Sequence, residues 1–214
     1  MPAQYGSKST AHLRFQELQK KGIWQEILSD LVKSAHDQGK IKLKKISIDS
    51  SSVPAKRGGD VIGYDGFKKI LGTKVHVAVE QKGLPISIVC SSANEHDSTK
   101  FTDVLENISE YLDDGSIQEI AAAYADKGYD AAYIRDYLKR HGMGCCIPYR
   151  KNSKFIVSKN SQKSYHKTRF VVERFFSWLK SGFHRTTIRY ERKCDNYLGI
   201  VYLACIMMYW RVLG

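Results

Sequence analysis

Three acidic residues stand where packing alone gives no reason for a carboxylate: Asp49, Asp126 and Glu173. Asp49 lies in Ile46-Ser-Ile-Asp-Ser-Ser-Ser-Val53, which alternates as a strand, with Ile46 and Ile48 on one face and Ser47 and Asp49 on the other. Asp126 closes a second strand-like run, Ile117 to Ala125, just ahead of Lys127-Gly128. Glu173 is nearly alone among cations, and Arg169, Glu173 and Lys180 share one face of a helix at i, i+4 and i+11. A strand interior disfavours Asp, and a buried carboxylate without compensation is costly. If the two strands are neighbours and the helix crosses their end, the three carboxylates meet and repel one another unless divalent cations bind between them. Hard oxygen donors with few His nearby point to Mg2+ or Mn2+. Two such ions about 3.5–4 Å apart would activate a water or hydroxyl and stabilise the leaving oxygen of a phosphodiester displacement.

Each acid also has a plain structural alternative. Asp49 would be a turn or capping residue if its strand is short, and Asp126 a turn residue before Lys-Gly. Glu173 would pair with Arg169 on a solvated helix. Spacing alone leaves the convergence of the three open.

Charge narrows the choice. The chain has 214 residues and a net charge of +12. Between Arg150 and Lys193 stand 13 basic residues against only Glu173 and Glu191, so this stretch carries +11, while the remainder is balanced at 21 basic and 20 acidic residues. Such a segment suits a polyanionic partner that Arg and Lys grip through its phosphates. The composition, 43% hydrophobic and 11% aromatic, is that of a globular chain with a sizeable core. Five Cys without a CxxC pair read as reduced thiols, which disfavours a structural zinc or a secreted disulfide scaffold. Met1 to Lys21 is too polar for a signal peptide, and Tyr197 to Trp210 reads as a buried helix rather than a membrane span. A cytoplasmic protein with no membrane partner is expected.

The elements that must position the acids follow from periodicity. Ser9 to Ala35 reads as two helices broken at Lys21-Gly22. After strand 46–53 comes a Gly- and Lys-rich loop, Pro54 to Gly72, then a second strand with Val75, Val77 and Val79 opposite Lys74, His76 and Glu80, and a third, Ile86 to Cys90. Asp97 or Ser98 would cap a helix running to about Leu112. A fourth strand (117–125), a helix (131–140), a short fifth strand (144–148), a polar irregular stretch (150–163) and closing helices (167–180 and 196–211) complete the chain. This order implies an α/β fold, a mixed five-stranded sheet with helices on both faces.

These blocks resemble the DDE transposases of bacterial and archaeal insertion sequences, nearest to the insertion-sequence four and five grouping. The resemblance rests on Ile-Asp-Ser-Ser at 48–51, Ala-Asp-Lys-Gly-Tyr-Asp at 125–130 and Arg169-x3-Glu173-x6-Lys180. Ala55-Lys-Arg-Gly-Gly59, Gly72-Thr-Lys-Val-His76, Gly83-Leu-Pro85, Ala93-Asn-Glu-His-Asp97 and Arg189-Tyr-Glu191 fill the intervals, from about Ser7 to the C-terminus. The resemblance implies a ribonuclease-H-like core, with Asp49, Asp126 and Glu173 as catalytic, metal-binding residues and Mg2+ as the ion, Mn2+ as a substitute. It implies DNA cleavage that frees a 3′-OH and transfer of that hydroxyl to target DNA, with DNA and a second copy of the chain as partners and no nucleotide cofactor. Arg169 and Lys180 carry over as DNA contacts, and Lys127, Lys56, Arg57, Lys74 and His166 join them as candidates. The family's third block usually has Tyr three positions before the Arg; here His166 holds that place, with Tyr165 before it. The short stretch ahead of the Glu173 helix leaves no room for the large β-rich insertion of some relatives. His76 is expected to be a packed residue, and Asp97 either a helix cap or a neighbour of the site.

Residues 1–40 are expected to form an N-terminal helical segment and 41–214 the catalytic domain. With 48 residues ahead of Asp49, where family members usually have more, the segment reads as the tail of a longer DNA-binding region. Two rivals follow: a DNA-binding remnant without catalysis, and a metal nuclease of the same fold that does not join strands.

Overall fold

The computed structural model of the chain describes residues 3–150 and 159–214. It opens with α1 (Lys8–Lys20) and α2 (Ile23–Asp37). They part at Gly22, whose φ of 76° is a left-handed turn conformation that glycine adopts without strain. The ring of Phe15 stacks on Trp24, whose indole Nε1 donates to the Phe15 carbonyl at 3.3 Å, so the two helices are joined side by side.

The sheet starts with β1 (Lys45–Pro54), β2 (Gly63–Asp65), β3 (Ile70–Val79) and β4 (Pro85–Ser92). β1 and β3 pair antiparallel with Asp49 opposite Val77 and Ser50 opposite His76. β4 pairs with β3 over most of its length, and β2 pairs with its first residues, Ile70 to Gly72. β5 (Ala122–Tyr124) then lies parallel to β1, and β6 (Gly144–Cys146) parallel to β5. Among the described residues the sheet therefore has six strands rather than the expected five. The addition, β2, is three residues long with no apolar alternation, so periodicity could not reveal it. The antiparallel meander, with β5 and then β6 added in parallel on the other side of β1, is the ribonuclease-H-like order that the family resemblance implies.

The helices depart from expectation in instructive ways. The segment after β4 is not one helix but a 3-10 turn (Asp97–Lys100), α3 (Phe101–Glu106) and another 3-10 turn (Asn107–Glu110). Asn107 directs its amide to Ser87 Oγ and the Ile88 carbonyl of β4, at 3.1 and 3.3 Å. The expected fourth strand begins late, because Asp113 accepts from the Ser116 amide at 2.7 Å and starts α4 (Asp114–Gln118) instead. α5 (Ala132–Arg140) follows β5, and α6 (Lys159–Gly182) begins eight residues earlier than the apolar pattern announced, inside the stretch read as irregular. α7 (Cys194–Leu213) ends the chain.

α6 lies on the face of β1 that carries Ser47 and Asp49: Ser47 Oγ donates to the Thr168 carbonyl at 2.9 Å. Val172, Phe175, Phe176 and Leu179 are buried beneath it, each contributing about 1.5–3 kcal/mol. α7 is long and apolar enough to cross a membrane by length and composition, but it packs against α2, with Tyr197, Val201, Tyr202, Cys205 and Tyr209 in the core. The sequence anticipated such a core helix.

Candidate active site

β1 and α6 bring the first and third acids to one guanidinium. Arg169 Nη2 lies 3.7 Å from Asp49 Oδ2 and 3.4 Å from Glu173 Oε1. The pairing of Glu173 with Arg169 that the helix spacing allowed is present, but it extends to the strand and is not a contact of the helix surface alone. Ser50 N donates to Asp49 Oδ1 at 2.8 Å, which fixes one oxygen of the carboxylate. Burial pushes the Asp49 carboxyl up to about 6; the Ser50 amide and Arg169 oppose this, and Asp126 and Asp97 reinforce it. Burial works against the Arg169 charge, but Asp49, Tyr165, Asp126 and Glu173 outweigh it and raise its pKa. The Nε of Arg169 is buried and has no hydrogen-bond partner among the described residues.

Asp126 is held by the turn that follows β5. Its Oδ1 accepts from the Gly128 amide at 2.6 Å, and a Cβ at Gly128 would come within 2.7 Å of that oxygen. A side chain at position 128 would therefore have to shift the Asp126 carboxylate. Tyr129 is fully buried against Phe101. Asp130 ties the turn down: it binds Arg135 at 2.8 Å and accepts the Arg150 amide at 2.8 Å, while Arg150 Nη2 reaches the Gly128 carbonyl. Tyr165 Oη donates to the Ala125 carbonyl at 3.1 Å, linking α6 to the residue before Asp126. Lys127 is exposed, but its carbonyl accepts from Arg150 Nε at 3.4 Å, so this residue too is tied into the turn.

The opposite face of β1 holds a second polar network. Ser50 Oγ donates to Asp97 Oδ1 at 2.8 Å, and Lys74 Nζ lies 2.8 Å from the same oxygen and donates to the Glu95 carbonyl at 2.6 Å. Burial opposes the Asp97 charge, but the bonds from Lys74 and Ser50 and the Lys74 charge outweigh it and lower the pKa. His96, not Asp97, caps the 3-10 turn by accepting from Ser98 N, which leaves Asp97 free for this network. Neighbouring His76 is fully buried against Ser91 Oγ at 2.8 Å, and burial lowers its pKa to about 4. This meets the expectation of a packed histidine. Lys74 requires a correction: as a DNA contact it would have to be exposed, yet it is 5% accessible and its ammonium is committed to Asp97. The contacts made by Ser50 and Asp97 were not anticipated from the sequence, although the Lys74–His76 alternation beside the Asn-Glu-His-Asp97 block was their available signal.

Of the other candidate DNA contacts, Lys180, Lys127, Lys56 and Arg57 are exposed. The side chain of His166 lies outside the described residues.

The donor chemistry fits a hard divalent cation: three carboxylates, one of them largely buried, with a guanidinium as the cationic partner. Among the described residues, however, no three Asp, Glu, His or Cys side chains stand close enough to enclose an ion. Arg169 occupies the space between Asp49 and Glu173.

The chain is similar to transposases of bacterial insertion sequences. It is 29% identical over 144 residues to a putative transposase for insertion sequence element IS402 of Burkholderia cepacia, covering 66% of this chain and 64% of that one. It is 28% identical over 158 residues to the transposase for element IS1106 of Neisseria meningitidis serogroup B, covering 72% of this chain and 49% of that one. The chain thus spans roughly half to two thirds of the length of these relatives. Among solved structures, the catalytic core domain of BIV integrase aligns with 14% identity and a TM-score of 0.41, over 75% of this chain and 83% of that one. A family model described as the transposase DDE domain matches residues 41–209, most of the chain, and the chain belongs to that family.

Proposed function

We propose that this chain is the catalytic part of a DNA transposase that cuts the ends of an insertion sequence and joins the freed 3′-OH to target DNA. Asp49, Asp126 and Glu173 are its catalytic carboxylates and hold Mg2+, or Mn2+ in its place. Residues 41–214 form the catalytic domain, 1–40 a helical segment belonging to DNA recognition, and the protein works as a homodimer on DNA in the prokaryotic cytoplasm. The observation that carries this reading is the Arg169 guanidinium within 4 Å of both Asp49 and Glu173, which joins the first and third motif blocks across β1 and α6.

When bound, divalent ions supply Lewis-acid activation of the attacking oxygen and stabilisation of the leaving one. The chain's own residues prepare the site. The Ser50 and Gly128 amides orient Asp49 and Asp126. Burial makes an ionised Asp49 costly, so the site is selective for a cationic occupant. Arg169 carries that role in the free protein; Asp49 and Glu173 would hold the metal, and the planar fork of Arg169 would suit a phosphate oxygen. Lys180, further along the same helix, holds the DNA backbone and contributes affinity that falls with salt.

Cleavage of supercoiled plasmid in Mg2+ tests the reading. Asp49→Ala is expected to abolish nicking while DNA binding persists, and a pre-cut 3′-OH oligonucleotide is expected to be joined to plasmid by the wild type alone. Nicking by the variant would refute the assignment, and nicking without joining would identify a nuclease. A DNA-binding remnant is the second reading, favoured by the absence of a closed acid cluster among the described residues; binding without cleavage by the wild type would select it.

A further inference from the structure

The most exposed aromatic side chain of the described residues sits far from any core function. Phe67 is 95% accessible, at the tip of the β2–β3 hairpin. Behind it Tyr64 and Leu71 face each other across the two strands, at 57% and 56% accessible. Lys68 and Lys69 follow Phe67 directly, and both are exposed. Leaving a phenyl ring in water forfeits roughly 1.5–3 kcal/mol of burial, so nothing in folding calls for it there.

The hairpin that carries this ring is heavily braced. Asp65 Oδ1 accepts from the amides of both Phe67 and Lys68 at 3.0 Å, an Asx turn that sets the backbone of the tip. Lys68 Nζ donates to Ser52 Oγ at 3.2 Å, tying the tip back to β1 three residues beyond Asp49, about 10 Å along the strand. Among the described residues two that are not glycine have positive φ, Lys69 at 54° and Val61 at 51°, conformations that persist only where surroundings impose them. Val61 is imposed from the core: its carbonyl accepts from Thr73 Oγ1 at 2.7 Å and from Arg189 Nη1 at 3.4 Å. Gly63 is pressed against Asn94, since a Cβ there would meet Asn94 Oδ1 at 1.7 Å.

We propose that this hairpin is a stacking platform for an unpaired DNA base next to the cut, with Phe67 supplying the ring and Lys68 and Lys69 the phosphate contacts. The proposal rests on the DNA-cutting reading above. An unpaired base at a cut end exposes a π-face, and a protruding ring can cover such a face but not the faces of bases inside an intact duplex. Aromatic stacking is tolerant of sequence and accounts for about five- to a hundredfold in affinity per base. The surrounding lysines match a polyanion, which favours DNA over a second copy of this cationic chain as occupant.

The test uses a duplex with a short single-stranded 3′ tail carrying 2-aminopurine, alongside the same duplex with blunt ends, and the wild type, Phe67→Ala and Phe67→Trp proteins. The wild type is expected to bind the tailed duplex at least about fivefold more tightly than the blunt one and to quench the 2-aminopurine. Phe67→Ala should keep blunt-duplex affinity and its melting temperature but lose both the preference and the quenching, and Phe67→Trp should restore both. Preference and quenching that survive in Phe67→Ala would overturn the proposal. So would a change in sedimentation on mutation with the DNA response intact, which would make the hairpin a self-association surface. Binding of blunt duplex without any response to the tail would sink the platform alone, whereas binding of neither duplex would sink the DNA reading with it.

Discussion

Two arginines of this chain illustrate opposite uses of the same side chain. Arg189 is fully buried and every nitrogen is engaged: Nε with the Glu191 carbonyl at 2.8 Å, Nη1 with Thr73 Oγ1 at 2.5 Å and the Val61 carbonyl, Nη2 with Asp60 Oδ1 at 2.7 Å and the Arg192 carbonyl at 2.8 Å. The same Asp60 oxygen accepts the Cys194 amide at the start of α7, so one guanidinium fastens the loop after β1, the strained base of the β2–β3 hairpin and the last helix. Arg169 sits among acids at 3.4 and 3.7 Å, beyond ordinary hydrogen-bond length, with Nε unpartnered among the described residues. A satisfied buried cation specifies structure, whereas a loosely held one among carboxylates leaves binding capacity for a ligand.

The largest effect should come from breaking the satisfied arginine. Arg189→Ala would remove one donor each from Asp60, Thr73 and three carbonyls, and a loss of about 3 kcal/mol or more is expected in urea melts. If Arg169→Ala costs as much, the contrast between the two fails.

The next effect concerns the charge that Arg169 balances. The folded Asp49 carboxyl, at about 6 against an ordinary 3.8, takes up protons more readily than the unfolded chain, so its stabilising effect is present at low pH and is lost as pH rises through about 6. Metal-free Asp49→Asn should therefore be more stable than wild type above pH 6, by about 2 kcal/mol, with the gap closing toward pH 4. His76 has the opposite slope: its folded pKa of about 4 lies below 6.5, so stability falls as pH drops from 6.5 toward 4. The difference between variant and wild-type melts separates the two, and a gap that does not change with pH would remove the electrostatic cost assigned to Asp49.

The smallest effect should be that of emptying the space between the acids. Arg169→Gln is expected to tighten Mn2+ binding to the DNA-free protein by about tenfold, read by calorimetry, with little change in melting temperature. Unchanged or weaker Mn2+ binding would mean that the guanidinium does not hold a cation's place.

Much of the site was legible in the sequence because its signals are local. Alternation along 46–53 marked β1 and the face of Asp49, helical spacing placed Arg169, Glu173 and Lys180 together, and Asp-Lys-Gly required a turn that presents Asp126. The core helices α2 and α7 followed from apolar periodicity in the same way. What stayed hidden depends on approach between distant segments. β2 exists only because Gly63 to Asp65 finds Ile70 to Gly72. Lys74 looked like an exposed cation until Asp97, released from capping by His96, came to lie against it.

The sequence by itself therefore determined which acids, which cations and which element types this protein has, since periodicity, capping and turn chemistry act over a few residues. Tertiary structure alone decided how the cations are used. Arg189 meets Thr73 and Asp60 across 116 and 129 residues of chain. Arg169 is held between a strand and its own helix, Lys74 is buried, and Phe67 is turned outward. The environment of a charge or a ring is set by whatever packs around it, and nothing in its local sequence encodes that.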